Sequence, residues 1–582
     1  MSLNKVENLL TELLARKLNE TFNAQEPLFG LQGQLLESPK DEAFGDISTS
    51  VALKLAAILK RSPRDIAKEI VAWLYKEIAV SSLKTSIEKI DIAGAGFINF
   101  YLSKEYFYSL LKEAISSESP FMGQAKKDRR VLVEFVSANP TGPLSVAHGR
   151  QAAVGDALCN VLKYAGYELT REYYLNDEGN QINILGKSIA LRLQELKGER
   201  IEFPEDHYQG EYIIDLAKEL YQARDEGRGT RDEGPWTRDE ERETRDDGRE
   251  TIGERRWTID DCRDYGVKRI LEIIKKELED FGVRFDAWYS QASLQKSGKI
   301  EETLALLRSK GFIYDQDSAV WFASTKFGDD KDRVVIKSDG SYTYLAPDIA
   351  YHQDKFRRGF DWLVNLWGPD HHGYIGRMKA AVEALGREKE ALNVVIVQLA
   401  TLYKDGKVVS MSTRRGEYVT LRQVIDEVGV DAGRFFFLMR RTDSHLDFDL
   451  ELAKKQSSEN PVYYIQYAHA RIANILAHAG IAPAQIKNAD MSLLKEKEEL
   501  SLLKAIAHFE SCLKIAEIQL DPYCVSTYLQ ALAESFHRFY DLHRVLVDDV
   551  PLKTARLSLI LGCKTVIAAA LKLLGVSAPE KM

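Results

Sequence analysis

Cysteine is scarce. The 582 residues hold five, Cys159, Cys262, Cys512, Cys524 and Cys563, scattered and without a CxxC pair. This excludes a disulfide framework or a thiolate zinc site and points to a reducing, cytoplasmic setting. Long apolar runs are nearly absent too. Only 557–576 approaches the length of a membrane span, and Lys564 and Lys572 fall inside it, so it is expected as a buried helix with no membrane partner. The opening MSLNKVENLLTELLARKL has charges in every apolar stretch and reads as an amphipathic helix, not a secretory signal. Positive charge is in deficit, with 79 Lys and Arg against 88 Asp and Glu and a net charge of −9. A protein held on DNA by bulk charge is thereby excluded, whereas a local basic patch is allowed. What is present, 45% hydrophobic and 29% charged residues, is the make-up of a soluble globular chain. Its length predicts three or four domains at roughly 150 residues each.

Residues 1–115 combine helical periodicity with alternating segments at 87–93 and 97–102 and read as a small α+β domain, ending in a polar stretch, 116–130. From Val131 strands alternate with helices, so 125–400 is expected to be a Rossmann-like α/β domain on a doubly wound parallel sheet. Inside it, 223–257 repeats segments such as TRDEGPW, TRDEERE and TRDDGRE about every seven residues without apolar a and d positions. This insertion is expected to be a mobile or weakly helical surface arm. Residues 401–450 form a connecting region, and 451–582 read as an all-α helical bundle.

The stretch LVEFVSANPTGPLSVAHGR, residues 132–150, runs from an apolar strand through a Pro/Gly turn into a helix. Backbone N–H groups at such a helix start, with the helix dipole, favour phosphate. A second polar loop, 404–416, carries Lys404, Lys407, Arg414 and Arg415, cations of the kind that clamp a triphosphate while pyrophosphate departs. Taken alone, that loop also fits a solvated hairpin. His371 and His372 are adjacent, so their side chains diverge, and without a third ligand at ligand spacing no metal site is expected.

These residues together resemble the class I aminoacyl-tRNA synthetases, which pair a HIGH-type turn with a KMSK-type loop. Within that class VEFVSANPTGPL, EYYLNDEGNQI, YTYLAPDIAYH, WGPDHHGYIGRMKAA, DFDLELAKKQSSENPVYYIQYAHARI and the terminal LLGVSAPEKM resemble arginyl-tRNA synthetase. The resemblance implies activation of L-arginine by ATP, as its Mg2+ complex, to arginyl-adenylate, and transfer to tRNA(Arg), with tRNA bound before the first step. It implies a monomer without a tightly bound metal or cofactor.

A guanidinium presents five coplanar donors and asks for carboxylates. Glu134, Asp348 and Asp370 are each expected at a strand end, with Tyr344 one helical turn before Asp348. By resemblance, Ser137 and Asn139 take the α-amino end of arginine and Tyr344 and Asp348 read its side chain, with Glu134 and Asp370 the further arginine-site carboxylates. ATP falls to Pro140, Ser145, Ala147, His148, His372, Met411 and Ser412, with Ser145, His148, Met411, Ser412 and Arg414 as the catalytic set. The bundle resembles an anticodon-binding domain. Tyr463, Tyr467 and Arg471 recur at i, i+4 and i+8 on one helix face, a pattern that suits base stacking beside a phosphate contact. Phe539 and Tyr540 are similar candidates, and Asn99 in GAGFINFYL is the expected contact to the tRNA corner.

The signatures depart from the family at Ser145 and Ala147, where His and Gly are usual, and at Ser410, where Lys or Arg is usual. Loss of one transition-state donor costs about 10²–10³ in rate. The alternative to a working ligase is therefore a catalytically weakened, synthetase-derived tRNA-binding protein.

Overall fold

The computed structural model describes residues 3–22, 35–37, 39, 41–117, 120–121, 126–226, 242–244, 250–252, 257–409 and 418–582. Helix α1 (Leu3–Phe22) buries Val6, Leu10, Leu14 and Leu18, the four-residue spacing of an amphipathic face. It joins α2 (Val51–Leu59) and α3 (Pro63–Ala79) around a three-stranded antiparallel sheet of β1 (Ile47–Thr49), β2 (Ile87–Ala93) and β3 (Phe97–Leu102), ordered β1-β3-β2. The next helix, α4 (Lys104–Ser116), is started by Ser103, whose Oγ accepts from the Tyr106 N–H at 3.1 Å.

The central sheet is wholly parallel: β4 (Arg130–Glu134), β5 (Glu168–Leu175), β6 (Ala287–Ser290), β7 (Trp362–Trp367) and β8 (Leu392–Ile396), in the spatial order β8-β7-β4-β5-β6. Strand order reverses between β4 and β7, so the crevice at their carboxyl ends is where ligands bind in such sheets. Helix α5 (Val146–Tyr164) follows β4, and α6 (Leu345–Arg357) precedes β7. Beyond β8, β9 (Ala400–Lys404) pairs with β10 (Lys407–Val408) through Asp405 and Gly406, both at positive φ, as a two-residue hairpin requires. On its other side β9 runs parallel to β11 (Leu446–Asp449). Helix α7 (Leu421–Phe437), broken at Gly429, leads into the bundle of α8 (Pro461–His478), α9 (Lys497–Ala507), α10 (Phe509–Gln519), α11 (Tyr523–Leu542) and α12 (Val550–Leu574).

Helix α12 is long and apolar enough to cross a membrane, but Leu557, Leu559, Ile560, Cys563, Val566 and Ile567 are fully buried inside the bundle. At Gly562 it passes so close to α4 that a Cβ would collide with Leu111, which docks the N-terminal domain on the bundle. Its capping Gly575, at φ 67°, lies against the buried Arg434 guanidinium, whose Nε donates to the Leu574 carbonyl at 2.9 Å and whose Nη2 pairs with Asp156 at 2.6 Å.

One expectation on local structure changes. In the insertion, the helix Glu211–Glu226 reaches residue 226 and two short strands, Arg242–Thr244 and Glu250–Ile252, pair antiparallel, so that part is extended rather than helical. Other insertion residues, 227–241, 245–249 and 253–256, lie outside the described residues.

Candidate active site

Past Glu134 the chain turns through Val136 and Ser137 at φ 65° and 41°. A left-handed β-branched residue costs about 1–3 kcal/mol and persists only where its surroundings fix it. Here Ser137 Oγ accepts from the Tyr174 N–H at 3.1 Å and donates to Glu134 Oε1 at 3.3 Å. Pro140 is buried, and the half-buried Asn139 donates to Gln181 Oε1 at 2.7 Å. The Tyr212 hydroxyl donates to the Thr141 carbonyl at 2.8 Å, and a Cβ on Gly142 would press on that phenol at 3.0–3.1 Å, so glycine fits the turn.

Ser145 then caps α5. Its N–H donates to His148 Nδ1 at 3.2 Å, and its Oγ lies 3.1 Å from the same nitrogen. Because Nδ1 accepts the backbone N–H, the ring proton sits on Nε2. Burial pushes the His148 pKa down to about 4, which keeps the imidazole neutral near pH 7. Across the turn Leu421 N–H donates to Leu144 O at 2.8 Å and Val146 N–H to Val419 O at 3.2 Å. The turn is thereby bridged to the start of α7.

Beneath the turn lies a buried polar network. Glu134, the last residue of β4, is 7% exposed and accepts from the fully buried Lys355 at 2.5 Å. Lys355 also donates to Asn365 Oδ1 at 3.2 Å, Asn365 Nδ2 donates to His352 Nε2 at 3.0 Å, and His352 Nδ1 donates to the Asp348 carbonyl at 2.8 Å. Burial lowers the His352 pKa to about 3, consistent with the neutral ring this chain of bonds needs. Asp348 accepts from the Tyr374 hydroxyl at 2.7 Å. Desolvation pushes its carboxyl up to about 6 against that hydrogen bond, with the Glu134 charge adding to the rise.

Beside them the fully buried Glu172 takes Arg358 at 2.5 and 2.8 Å and the Tyr351 hydroxyl at 2.7 Å. The Tyr351 ring lies 4.4 Å from Tyr174 and 4.7 Å from Tyr289. Sequence reasoning missed Lys355, Glu172, Tyr351, Arg358 and Tyr374. Asp348, His352 and Lys355 do stand at i, i+4 and i+7 on one helix face, a signal that was available.

Glu134 stands at its strand end, and Asp370 lies three residues past β7 in the 3-10 helix Pro369–Tyr374, exposed and 3.4 Å from His371; His372 is exposed as well. Asp348 corrects the expectation of a strand end, for it lies in the first turn of α6. Pro347 does not break that helix because the first turn has no intrahelical use for its missing N–H. Tyr344, at the start of the same helix, is 83% exposed.

Three family models tile the chain: the arginyl tRNA synthetase N-terminal domain over 8–102, the class I (R) tRNA synthetase catalytic domain over 111–443, and the DALR anticodon binding domain over 465–582. The arginine–tRNA ligase of Syntrophotalea carbinolica is 47% identical over 578 residues, covering 98% of this chain and 99% of that protein. The arginine–tRNA ligase of Bacillus subtilis is 49% identical over 554 residues, 94% of each. The chain belongs to the arginyl-tRNA synthetase family. Its fold is also that of the Thermus thermophilus arginyl-tRNA synthetase structure, with a TM-score of 0.74 over 99% of this chain and all of that one at 21% identity.

The second signature, with Ser410, Met411, Ser412 and Arg414, lies outside the described residues. Nearby, Lys404 pairs with Glu427 at 3.1 Å. On α8 the Tyr463 and Tyr467 rings are parallel, 6.3 Å apart, and the Arg471 guanidinium lies 4.6 Å from both the Tyr467 and Tyr540 rings. Its Nη2 donates to the Tyr467 hydroxyl at 2.7 Å.

Two expected tRNA contacts are corrected. Phe539 is fully buried in the bundle core and stacks on His543. Asn99 is 2% exposed, covered by β1, with its Oδ1 accepting from Ser48 Oγ at 2.8 Å.

Proposed function

We propose that the chain activates L-arginine with Mg–ATP and charges tRNA(Arg), working as a cytoplasmic monomer without a DNA or membrane partner. The observation that carries the arginine assignment is Asp348, a desolvated carboxylate with no ion-pair partner among the described residues, beside Glu134, which Lys355 pairs. A carboxylate left for a ligand matches a guanidinium. Tyr344 flanks the guanidinium, Asp370 lines the mouth of the pocket, and Ser137, Asn139 and Glu134 hold the α-amino group.

ATP lies along the start of α5, over Pro140 and Ala147 and beside His372, with its phosphates at the helix N-terminus. One carboxylate oxygen of arginine attacks the α-phosphorus, the bond to the bridging oxygen breaks, and pyrophosphate leaves with its Mg2+. His148 Nε2–H donates to the phosphate oxygens, Ser145 fixes that tautomer, and Arg414, on the same loop as Met411 and Ser412, completes the charge neutralisation. A hydroxyl of the terminal adenosine of tRNA then attacks the adenylate carbonyl and releases AMP. Tyr463, Tyr467, Arg471 and Tyr540 meet the anticodon arm.

Arginine-dependent ATP–pyrophosphate exchange with cognate tRNA tests this. Exchange is expected with arginine and not with lysine or glutamine; a rate no higher than that of His148→Ala would refute it. Ser145 at the first signature position favours one second reading, a tRNA-binding protein that has lost charging. That reading requires tight tRNA binding with no aminoacylation.

A further inference from the structure

Arg150, two residues beyond His148 on α5, forms no ion pair among the described residues, yet it is 0% exposed. Its Nη1 donates to the carbonyls of Gln398 at 2.7 Å, Ser444 at 2.9 Å and Leu399 at 3.3 Å, and its Nη2 donates to that of Arg441 at 2.9 Å. Its Nε is buried without an acceptor. Nη1 has two protons for three acceptors, so one bond is shared, and the guanidinium is committed wholly to backbone.

The four carbonyls come from two segments far apart in sequence. Gln398 and Leu399 stand immediately before β9, and Arg441 and Ser444 lie in the connection between α7 and β11. The second segment is held on its other side by the bundle: Thr442 N–H donates to the buried Asp521 carboxylate at 3.2 Å, and Ser526 Oγ donates to the Leu438 carbonyl at 2.7 Å. The same α5 start is bridged to the beginning of α7 through Ser145 and Thr420. Both chain segments that flank the second signature, before 410 and after 417, are therefore fastened to the helix that carries the first.

We propose that Arg150 is a positioning residue of the activation step, setting the signature turn of α5 in register with the β9 and 441–444 segments and, through Thr442 and Asp521, with the anticodon-binding bundle. Lysine cannot reproduce this. A single ammonium has three donors about one centre and cannot span carbonyls arrayed around a planar fork. Substrate contacts are left intact by such a change, so the effect falls on the geometry of the reaction rather than on affinity.

The inference rests on the ligase reading, and the wild-type exchange rate tests that reading separately. Arg150→Lys, which retains the charge, is compared with wild type in exchange assays normalised by active-site titration, so that any unfolded fraction drops out. We expect kcat per active site to fall 10- to 100-fold, KM for arginine and Kd for tRNA to stay within about twofold, and Asp521→Asn to be less than multiplicative with it. A kcat per active site equal to wild type in Arg150→Lys overturns the proposal. So does a loss confined to KM, or to the titratable fraction alone. Should Arg150→Lys give no soluble protein, Asp521→Asn carries the same kcat test alone.

Discussion

Lowering the pH from 7 to 5 is expected to raise KM for arginine about tenfold while leaving the fold in place. The carboxyl proposed to meet the guanidinium, Asp348, is pushed by desolvation to about 6, in spite of the 2.7 Å bond from Tyr374. Only the ionised form pairs with arginine, and its fraction drops from about 0.9 at pH 7 to about 0.1 at pH 5. A carboxyl at the ordinary value would stay more than about 90% ionised throughout, so KM would hardly move.

The sign of the accompanying stability change is fixed too. Since Asp348 is raised from 3.8, the folded state binds the extra proton between 3.8 and about 6, and acid in that window stabilises through this group. His148 and His352, depressed to about 4 and about 3, work the other way: their contribution is whole above 6.5 and is lost as pH falls towards those values. The assay is exchange at saturating Mg–ATP and tRNA across this range, with circular dichroism at each pH to separate binding from unfolding. Tyr374→Phe, which removes the donor that holds the carboxylate down, should move the inflection upward. A KM flat between pH 7 and 5, or a Tyr374→Phe inflection at lower pH, refutes the reasoning.

Lys355→Ala leaves Glu134 buried without its counter-ion, and loss of one partner of a buried pair costs about 3–5 kcal/mol in unfolding free energy, read by urea denaturation; a change under about 1 kcal/mol would show that the pair is solvated. Arg471→Ala and Tyr467→Ala remove part of the surface proposed to meet the anticodon arm, so tRNA affinity should weaken by about 1–3 kcal/mol per lost base contact. Filter binding measures this, and the melting temperature should be unchanged because both groups border solvent.

How much of this was legible in the chain depends on whether a partner has a sequence signature. The helix–strand rhythm of 131–175 and the apolar periodicity of the bundle put β4, α5 and β5 where the structure has them, and Glu134 follows from where an apolar run stops. Lys355 could not be matched to Glu134 in this way. The two are 221 residues apart, and only the parallel order of β4 and β7 brings α6 beneath the turn. Phe539 and Asn99 show the converse error, for an aromatic type or a resemblance in a short stretch suggests a contact but does not say whether the rest of the fold buries the residue. Arg150 is less readable still. Its acceptors are backbone carbonyls, which every residue carries, so no residue type marks them.

The substitution at Ser145 changes what the first signature can contribute. With Ser145 on Nδ1 and burial holding the ring neutral, His148 offers one N–H, and the α5 terminus adds its dipole, but the turn brings no formal positive charge. Lys404 is not a free substitute, since Glu427 binds it at 3.1 Å and binds Lys454 at 2.9 Å as well. In the proposed reaction, charge on the departing pyrophosphate is left to Lys407 and to Arg414 and Arg415 of the second loop. Both flanks of that loop are tied to α5, one through Arg150 and the other through the Ser145–Thr420 bridge. A turn that supplies direction rather than charge depends on how accurately its charged counterpart is held, which makes register the quantity on which this enzyme's rate rests.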